Sequence, residues 1–519
     1  MSFLNHLLPF SQDEEGAQGM YAAIDLGSNS FHLVIARELH GQVQIVDKHK
    51  EMIRLRSGLD KKGYLTETAF ENGIACLERF GQLIKNLPAN HIRAVGTNTL
   101  RNARNSQAFL TRAKQALGHD IQIIGGQEEA RLIYLGVAHG LPQTDEQRLV
   151  MDIGGGSTEY IIGKAFEHKH LTSTEMGCVS ITQRFFHKPE ISEKRMNKAI
   201  SRCRQILRPH YRKLTQMGWD NAYGASGTIK ALGGILVENG WDGAEQGSQP
   251  GSITLKGLYQ IRDSILKAGS VAKAELKGLK EERIPVLAGG LAILIATFEE
   301  VGIQQMQVSS NALREGLIYD TLGRLYDADV RETSVTAAQA WLKVDRQQAQ
   351  AVAHTSLELY EQVEQAWALH DSEYEYDKLL KWAAQLHEAG IALSYKRYRY
   401  HSAYLIENFD MAGFTQQEKQ MLGALLLNHR GKFLIEPYAR LDAPHDTKLQ
   451  RLTVLLRLAV RLHRGRETDR PNMQVSVYNE TGLAIHFEAD WLAQHPLTRL
   501  DLEIEAQRLQ GAGFDLTFE

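Results

Sequence analysis

The sequence predicts an α/β fold in which two duplicated domains face each other across a cleft, followed by a mainly helical half. The main observation is a pair of similar segments, Asp25–Ser30 (DLGSNS) and Asp152–Ser157 (DIGGGS), whose aspartates lie 127 residues apart. Each segment follows one short apolar run and precedes another, which is the pattern of a strand, a tight turn and a second strand. Such a repeat indicates a duplicated domain.

The elements follow in order along four regions. Residues 1–134 alternate strand patterns (21–24, 31–36, 43–46, 92–96, 121–124) with helical patterns (67–87, 127–137), and 97–102 is predicted as a loop. Residues 135–322 begin with strands at 149–151 and 160–162, add a strand at 221–223 and then become mainly helical, with an apolar helix at 284–298. Residues 323–448 are helical almost throughout. Residues 449–519 start with a helix at 449–463 and continue with strands at 473–478 and 483–487.

Composition favours a soluble protein of a reducing compartment. The 519 residues contain only three cysteines, which are widely spaced and form no disulfide pattern. No uninterrupted apolar run reaches the roughly 20 residues of a membrane span. Residues 1–19 carry three acidic residues and lack the pattern of a signal peptide, so we expect a loose tail and a cytoplasmic location.

The charge is unevenly distributed. The net charge is only −3, yet residues 396–466 contain 13 Lys and Arg against 6 Asp and Glu, so this stretch carries +7 and the remainder −10. A local excess of positive charge indicates a polyanionic partner. The alternative is that these side chains lie on ordinary solvated helix faces.

The paired turns carry the predicted chemistry. An aspartate at the end of a strand, followed by small residues in a tight turn, places a carboxylate beside free backbone N–H groups. Such a turn holds a phosphate, and Asp25 and Asp152 are candidate ligands for the cation that accompanies it. The candidate phosphate-binding residues of the two turns are Gly27, Ser28, Asn29, Ser30, Gly154, Gly155, Gly156, Ser157 and Thr158. Taken singly, each turn is also compatible with an ordinary strand connection.

Three further groups complete the candidate site. Glu129 opens a helix after a glycine turn, where it either complements the helix dipole or activates an attacking water. Arg101 is a candidate neutraliser of phosphoryl oxygens, and Glu159 either faces the second turn or forms a surface salt bridge. A third strand-to-helix turn offers an anion site or simply a helix start, with the candidate residues Gly224, Ser226, Gly227 and Thr228.

These motifs together resemble the exopolyphosphatase/guanosine pentaphosphatase family of the actin-like phosphotransferase superfamily. The matching segments are 22–32, 97–101, 128–131, 152–159, 176–180, 224–230 and 313–316, which occur in the family's order over more than half of the chain. Asn311 departs from the family, which usually has Gly there, and Asn tolerates a left-handed backbone better than most residues.

The resemblance implies both fold and roles. It implies two RNase H-like (actin-like) domains around a cleft (1–134 and 135–322), an all-α HD-like domain (323–448) and a small α+β domain (449–519). It implies that Glu129 is the general base, that Asp152 binds Mg²⁺ and Glu159 is a second essential carboxylate that we also expect at the metal, and that Arg101 and the turns contact phosphate. Asp25 stays a candidate Mg²⁺ ligand from the turn pattern, and Thr97, in a matching segment, a candidate phosphate contact. K⁺ is a further cation that the resemblance allows.

The third region resembles an HD-type domain, with His387–Glu388 where HD hydrolases carry His-Asp. Because the metal-binding Asp is replaced by Glu, we expect this domain to have lost its metal and to act as a binding wall. Its basic side chains form the predicted polyphosphate groove: Lys396, Arg397, Arg399, His401, Arg430 and Lys432.

The function that we predict is Mg²⁺-dependent exopolyphosphatase activity, the hydrolytic release of terminal orthophosphate from polyphosphate. The alternative is removal of the 5′ γ-phosphate of guanosine pentaphosphate (pppGpp), or both activities. A different class of protein, a non-catalytic polyanion sensor or an ATP-driven actin-like protein, is the third alternative. The family further implies a homodimer, no nucleic-acid partner and, in some relatives, peripheral association with the inner membrane.

Overall fold

The computed structural model describes residues 19–519 except 40–41, 143, 189, 243–250, 326–328, 410, 442, 467–471 and 489. Nearly all of the predicted N-terminal tail lies outside the described residues. The chain divides into two compact units, Met1–Asp329 and Val330–Glu519, which are described separately.

The first unit begins with a five-stranded sheet. Its strands are β1 (Met20–Leu26), β2 (Phe31–Leu39), β3 (Gln42–Glu51), β4 (Ile92–Gly96) and β5 (Gln122–Ile123), in the order β3-β2-β1-β4-β5. The first three strands pair antiparallel, whereas β4 and β5 are parallel to β1. The associated helices are α1 (Glu67–Ile84), α2 (Asn98–Asn102), α3 (Ser106–Leu117) and α4 (Gly126–His139).

A second sheet of six strands repeats this arrangement. Its strands are β6 (Gln147–Ile153), β7 (Thr158–Lys164), β8 (Glu167–Thr174), β9 (Asn221–Ala225), β10 (Ile253–Thr254) and β11 (Gln305–Val308), in the order β10-β11-β9-β6-β7-β8. Apart from β10, the order and the directions match those of the first sheet. This repeated topology is what the duplicated motif predicts. The helices are α5 (Cys178–Phe185), α6 (Glu193–Met217), α7 (Ser226–Glu238), α8 (Leu255–Ala268), α9 (Ile284–Val301) and α10 (Leu313–Leu325).

Helix α9 is the most apolar helix of this unit. Pro285 stands in its first turn and left-handed Gly302 ends it, which are favourable positions for these residues. By length and composition alone, the segment Glu281–Val301 passes as a membrane span, but 78% of its most apolar window is buried inside the protein. The helix therefore serves as the core of the second sheet's domain.

Helices α4 and α10 cross in direct backbone contact. A Cβ on Gly136 would lie 2.1 Å from the carbonyl oxygen of Ala312, and a Cβ on Gly316 would lie 1.8 Å from that of Leu132. Any larger side chain would separate the two helices. Since α4 follows the first sheet and α10 follows the second, this crossing ties the two halves together. The predicted boundary at 134/135 falls within α4.

The second unit is mainly helical. It contains α11 (Val330–Trp341), α12 (Arg346–Val363), α13 (Tyr376–Leu386), α14 (Tyr398–Asn408), α15 (Gln416–Asn428), α16 (His445–Leu462), α17 (Trp491–Gln494) and α18 (Pro496–Gln510). A small sheet of β12 (Met473–Val477), β13 (Gly482–Phe487) and β14 (Asp515–Phe518) ends the chain. One hydrophobic core includes residues from α11 to β14, and α16 runs across the predicted boundary at 448/449.

Most predicted elements are found within a few residues of their expected positions. The predicted loop at 97–102 is wrong: it contains the short helix α2, whose residues Asn98, Thr99 and Leu100 are buried. The sequence pattern also missed β8, β10 and β11 in the second sheet. These strands are short or mostly polar, so their periodicity is weak.

Candidate functional site

The two glycine turns and the start of α4 line one cavity of about 380 Å³ in the first unit. The turn after β1, the turn after β6 and the start of α7 all contribute to its wall. Asp25, Asp152 and Glu129 line it together, although they are far apart in the sequence. The repeated sheet topology explains this convergence, since equivalent strand ends meet at the same place.

The two turns touch each other. A Cβ on Gly155 would lie 2.8 Å from Cβ of Ser28, and a Cβ on Gly156 would lie 2.2 Å from Oδ1 of Asn98. None of Gly27, Gly154, Gly155 and Gly156 has a positive φ. The glycines therefore serve close approach and not a left-handed backbone.

We expect Gly155→Ala to lower kcat/KM for phosphate release by about 100-fold, a change typical of small displacements at a reacting centre. Ser28 has little freedom to yield, because its Oγ accepts a hydrogen bond from Thr99 and its carbonyl accepts one from the Arg56 N–H. Steady-state kinetics would measure the change. Gly234→Ala is the control, since a Cβ there meets nothing within 4 Å. Equal kinetics for the Gly155→Ala and Gly234→Ala variants would contradict the expectation.

Sheet register places the acidic residues in rows. In the second sheet, Asp152 lies opposite Glu159, which lies opposite Ser173, and Ser173 Oγ donates a 2.8 Å hydrogen bond to Glu159 Oε1. In the first sheet, the equivalent row consists of Asp25, His32 and Lys50. Directly opposed side chains on one face of a sheet are neighbours. Glu159 therefore faces the site beside Asp152 and is 1% exposed, rather than forming a surface salt bridge.

Burial and mutual repulsion disfavour the ionised form of this carboxylate cluster. The pKa of Asp152 rises to about 7, first because of burial and then because of the charges of Glu129 and Asp25. Burial likewise raises the pKa of Asp25 to about 7, an effect that Arg314 opposes. The pKa of Glu159 is raised for the same reasons, with Glu129 and Asp152 as the charged neighbours. The cluster therefore favours a ligand that brings positive charge.

We expect Asp152→Asn to stabilise the ligand-free protein at pH 8 but not at pH 4. The folded state binds the Asp152 proton more tightly than the unfolded state, so the free energy of unfolding falls as pH rises from about 4 to about 7. A shift of this size corresponds to about 2–4 kcal/mol at pH 8. Urea unfolding at both pH values would measure it, and a smaller free energy of unfolding for the variant at pH 8 would contradict it.

The acidic cluster fits a divalent cation. Asp25 Oδ1 and Glu159 Oε2 are buried and have no hydrogen-bond partner. Among the described residues, no three His, Cys, Asp or Glu side chains form a preformed metal-binding group. Mg²⁺ does not need one, since it usually keeps several waters and is held by one or two carboxylates plus substrate phosphates. Asp25, Asp152 and Glu159 would supply those carboxylates.

Glu129 lies in the first turn of α4 with its side chain at the cavity. Burial raises its pKa, and Arg101 opposes this increase by its charge and by a hydrogen bond from Nη1 at 3.5 Å. Arg101 also donates to the carbonyl of Ile124. Its guanidinium therefore contacts both Glu129 and the Ile124 carbonyl, and Arg101 is not among the residues that line the cavity.

The third turn begins α7 at the cavity wall. Ser226 adopts a left-handed backbone with φ 77° and donates a 3.0 Å hydrogen bond to the carbonyl of Ile153. Such a backbone in a non-glycine residue is strained and marks a constrained position. Gly227 leaves room for the guanidinium of Arg283, whose Nη2 would lie 2.1 Å from a Cβ there.

The cavity gathers most but not all of the predicted site residues. The following predicted residues line it: Asp25, Gly27, Ser28, Asn29, Ser30, Thr97, Glu129, Asp152, Gly154, Gly155, Gly156, Ser157, Ser226, Gly227 and Thr228. Four predicted residues do not: Arg101, Thr158, Glu159 and Gly224. Glu159 lies beneath the wall, Thr158 bonds to the carbonyl of Met176, and Gly224 packs against Ile229 and Met306 within the sheet.

Seven basic or imidazole side chains in the cavity were absent from the predicted site: His32, Lys48, His49, Lys50, Lys230, Arg283 and Arg314. Three of them, His32, Lys230 and Arg314, lie in segments that match the family's motifs, so the sequence contained a signal for these three. Lys48, Lys50 and Arg283 reach the site through sheet register and chain folding, which no local pattern reveals.

The predicted groove residues lie in the second unit, and some of their side chains are bonded within the protein whereas others are exposed to solvent. Arg399 donates to the carbonyls of Leu427, Arg430 and Lys432, so its guanidinium holds the backbone together. Arg430 bonds to Tyr398 and stacks over its ring, and His401 is partly buried. The remaining three, Lys396, Arg397 and Lys432, are exposed.

The positive excess of residues 396–466 is largely neutralised by acids elsewhere in the unit. Arg457 and Arg461 pair with Glu505, and Arg464 pairs with Asp501. Arg466 pairs with Asp345 and Glu388, and Lys448 with Asp371. The charge count along the sequence therefore overstates the positive charge available to a polyanion.

The two central histidines of the predicted HD-like region, His387 and His429, are buried and directly follow α13 and α15. His387 and His429 each bond through Nδ1 to a backbone carbonyl, of Ala384 and Leu426, and their rings lie 5.6 Å apart. Glu388 is engaged by Arg466 at 2.7 Å. The expectation of a binding wall without metal stays a prediction.

Comparisons with known proteins agree with this geometry. The model of the Ppx/GppA phosphatase family matches residues 34–325, and that of Ppx/GppA phosphatase, domain III, matches 330–506. A guanosine-5′-triphosphate,3′-diphosphate pyrophosphatase of Aliivibrio fischeri is 39% identical over 96% of this chain and 98% of the relative. One of Vibrio cholerae is 39% identical over 96% and 98%. A solved exopolyphosphatase of Cytophaga hutchinsonii is 25% identical over 58% of this chain and 97% of that chain, with a TM-score of 0.52.

Proposed function

Because the chain belongs to the Ppx/GppA phosphatase family, whose members hydrolyse phosphoanhydrides, we propose that it removes the terminal 5′-phosphate of pppGpp. The observation that carries this proposal is the cavity in which both glycine turns, Asp25, Asp152 and Glu129 meet. It combines anion-binding turns with carboxylates that suit a cation and a base. Orthophosphate and guanosine tetraphosphate are the expected products.

In the proposed mechanism, Glu129 orients a water molecule for in-line attack and accepts its proton. A carboxyl whose pKa is raised by burial is a better base near neutral pH than an exposed one. The N–H groups of the two turns bind the phosphate oxygens and fix the terminal group in place. Mg²⁺ held by Asp25, Asp152 and Glu159 would neutralise charge on the phosphate oxygens.

Two observations favour pppGpp over long polyphosphate. The relatives named for this nucleotide match the chain along nearly its whole length, including the helical unit. Of the residues expected to form a polyphosphate groove, Arg399 is engaged by backbone carbonyls and Arg430 by Tyr398. Polyphosphate remains the second candidate, favoured by the exopolyphosphatase among the similar structures and by exposed Lys396, Arg397 and Lys432.

The test is phosphate release from pppGpp, long-chain polyphosphate and ATP, measured side by side with Mg²⁺ and then with a chelator. We expect the highest kcat/KM for pppGpp and loss of release when the chelator removes Mg²⁺. Higher kcat/KM for polyphosphate would favour the second candidate. ATP as the best substrate would favour an ATP-driven actin-like protein, and binding without any release would favour a sensor.

A further inference from the structure

Arg314 is held in the cavity by a histidine ring rather than by a carboxylate. It lies in the first turn of α10, lines the cavity and contacts Nδ1 of His32 through its Nη1 at 2.7 Å. The other ring nitrogen of His32 lies 2.8 Å from Oγ of Ser30, a residue of the first turn. A guanidinium can only donate, so His32 accepts at Nδ1 and is neutral. Burial and Arg314 both lower the pKa of His32, which agrees with this state.

Of the four other cations of the cavity, three are paired with carboxylates, whereas Lys230 donates to the carbonyl of Ser310 at 2.7 Å. Lys50 and Arg283 both reach Glu282, at 2.6 Å and 3.8 Å, and Lys48 reaches Glu315 at 3.5 Å. Within the described part of the chain, Arg314 makes no ion pair. A cation that is anchored by a neutral ring retains its full charge for an incoming anion, whereas a cation paired with a carboxylate does not.

Arg314 is also close to the reacting end of the cavity. Its charge opposes the increase in the pKa of both Asp25 and Asp152, so it acts on the two aspartates that end β1 and β6. Arg101, by contrast, contacts Glu129 and is not among the residues of the cavity lining. Of the two arginines, only Arg314 faces the space that a terminal phosphate would fill.

We propose that Arg314, held in place by neutral His32, is the guanidinium that contacts the terminal phosphoryl group, the role that the sequence assigned to Arg101. Its planar fork suits two phosphate oxygens at once. Arg101 is then a positioning residue that orients Glu129. This proposal rests on the proposed function, because it concerns the same cavity and the same substrate.

Two measurements test the assignment. First, we expect Arg314→Gln to lower kcat/KM for pppGpp by about 10²- to 10³-fold, as for the loss of one charge-stabilising donor. Arg314→Lys should recover part of this loss, since it restores the charge but not the fork. Second, in a Glu129→Gln background, calorimetric titration with inorganic tripolyphosphate and Mg²⁺ should give a Kd about tenfold higher for Arg314→Gln.

Arg101→Gln in the same Glu129→Gln background is the matched control, expected to leave the Kd within about twofold because Arg101 lies outside the cavity lining. Melting temperatures and near-UV circular dichroism would verify that each variant is folded. An unchanged Kd for Arg314→Gln, or an equal increase for both variants, would overturn the assignment. If the wild type released no phosphate from pppGpp, the proposed function would fail, while the titration would still decide on Arg314.

Discussion

Replacing Glu129 with Gln is expected to lower kcat for phosphate release by about 10³-fold or more while substrate still binds. The amide keeps the shape of the side chain but cannot accept a proton from water, and general base catalysis contributes about 10²- to 10⁴-fold. Glu129 lines the cavity together with Asp25 and Asp152. Among the described residues, no other carboxylate at the start of α4 lines it. Stopped-flow phosphate detection and calorimetric binding of pppGpp would separate turnover from affinity.

The adjacent residue provides a matched control. Glu128 carries the same group one position earlier, but it forms a two-point ion pair with Arg131 at 2.8 Å and does not line the cavity. We expect Glu128→Gln to lower the melting temperature and to leave kcat within about threefold, because it contacts no substrate. If Glu129→Gln retained wild-type kcat, another group would have to be the base and the mechanism would be wrong.

Asp320→Asn is expected to reduce the free energy of unfolding by about 3–5 kcal/mol, the usual cost of leaving buried charges unpaired. Asp320 on α10 is buried and contacts three arginines, Arg93 on β4, Arg131 on α4 and Arg324 on its own helix. Removing its charge takes a buried carboxylate away from Arg93 and Arg324 and leaves Arg131 with Glu128 as its described carboxylate partner. Urea unfolding of the wild type and the variant would measure the difference.

The pH dependence gives a second readout of Asp320. The three arginines hold the pKa of its carboxyl well below its ordinary range, so its stabilisation is complete above about pH 4 and is lost as pH falls further. The variant should therefore show a smaller loss of stability on acidification than the wild type. Glu71→Gln, which removes an exposed partner of Arg112, should leave the unfolding midpoint nearly unchanged. Equal effects from both substitutions would refute this account.

Local patterns predicted most of the elements and the residues that meet at the centre of the cavity. Short continuous apolar runs predicted β1, β2, β6 and β7, because strands of this kind are buried on both faces of a sheet. Small residues after an aspartate predicted both turns, since chain geometry within a few residues fixes that conformation. The short helix α2 was missed because five residues contain too little periodicity to distinguish a helix from a loop.

Long-range relations were not available from such patterns. The charge count predicted a free basic surface at residues 396–466, but Glu505, Asp501 and Asp345 come from other parts of the chain to neutralise it. Arg101 was predicted to contact phosphate because it follows a strand; its side chain contacts Glu129, and its role toward phosphate stays a prediction. In both cases the partners of a side chain depend on packing, which a local pattern does not contain.

The sequence by itself determined that two equivalent strand–turn–strand units exist, that each presents an aspartate, and that Glu129 begins a helix nearby. These features depend on hydrophobic periodicity and turn chemistry, which act over a few residues. Only the tertiary structure decided which side chains surround the two aspartates. Strand register sets the row Asp25–His32–Lys50, which brings a cation to the cavity, and the row Asp152–Glu159–Ser173, which brings a second carboxylate. Register and the crossing of α4 with α10 arise from packing between distant segments, and they bring Arg314 to the place where phosphate is expected.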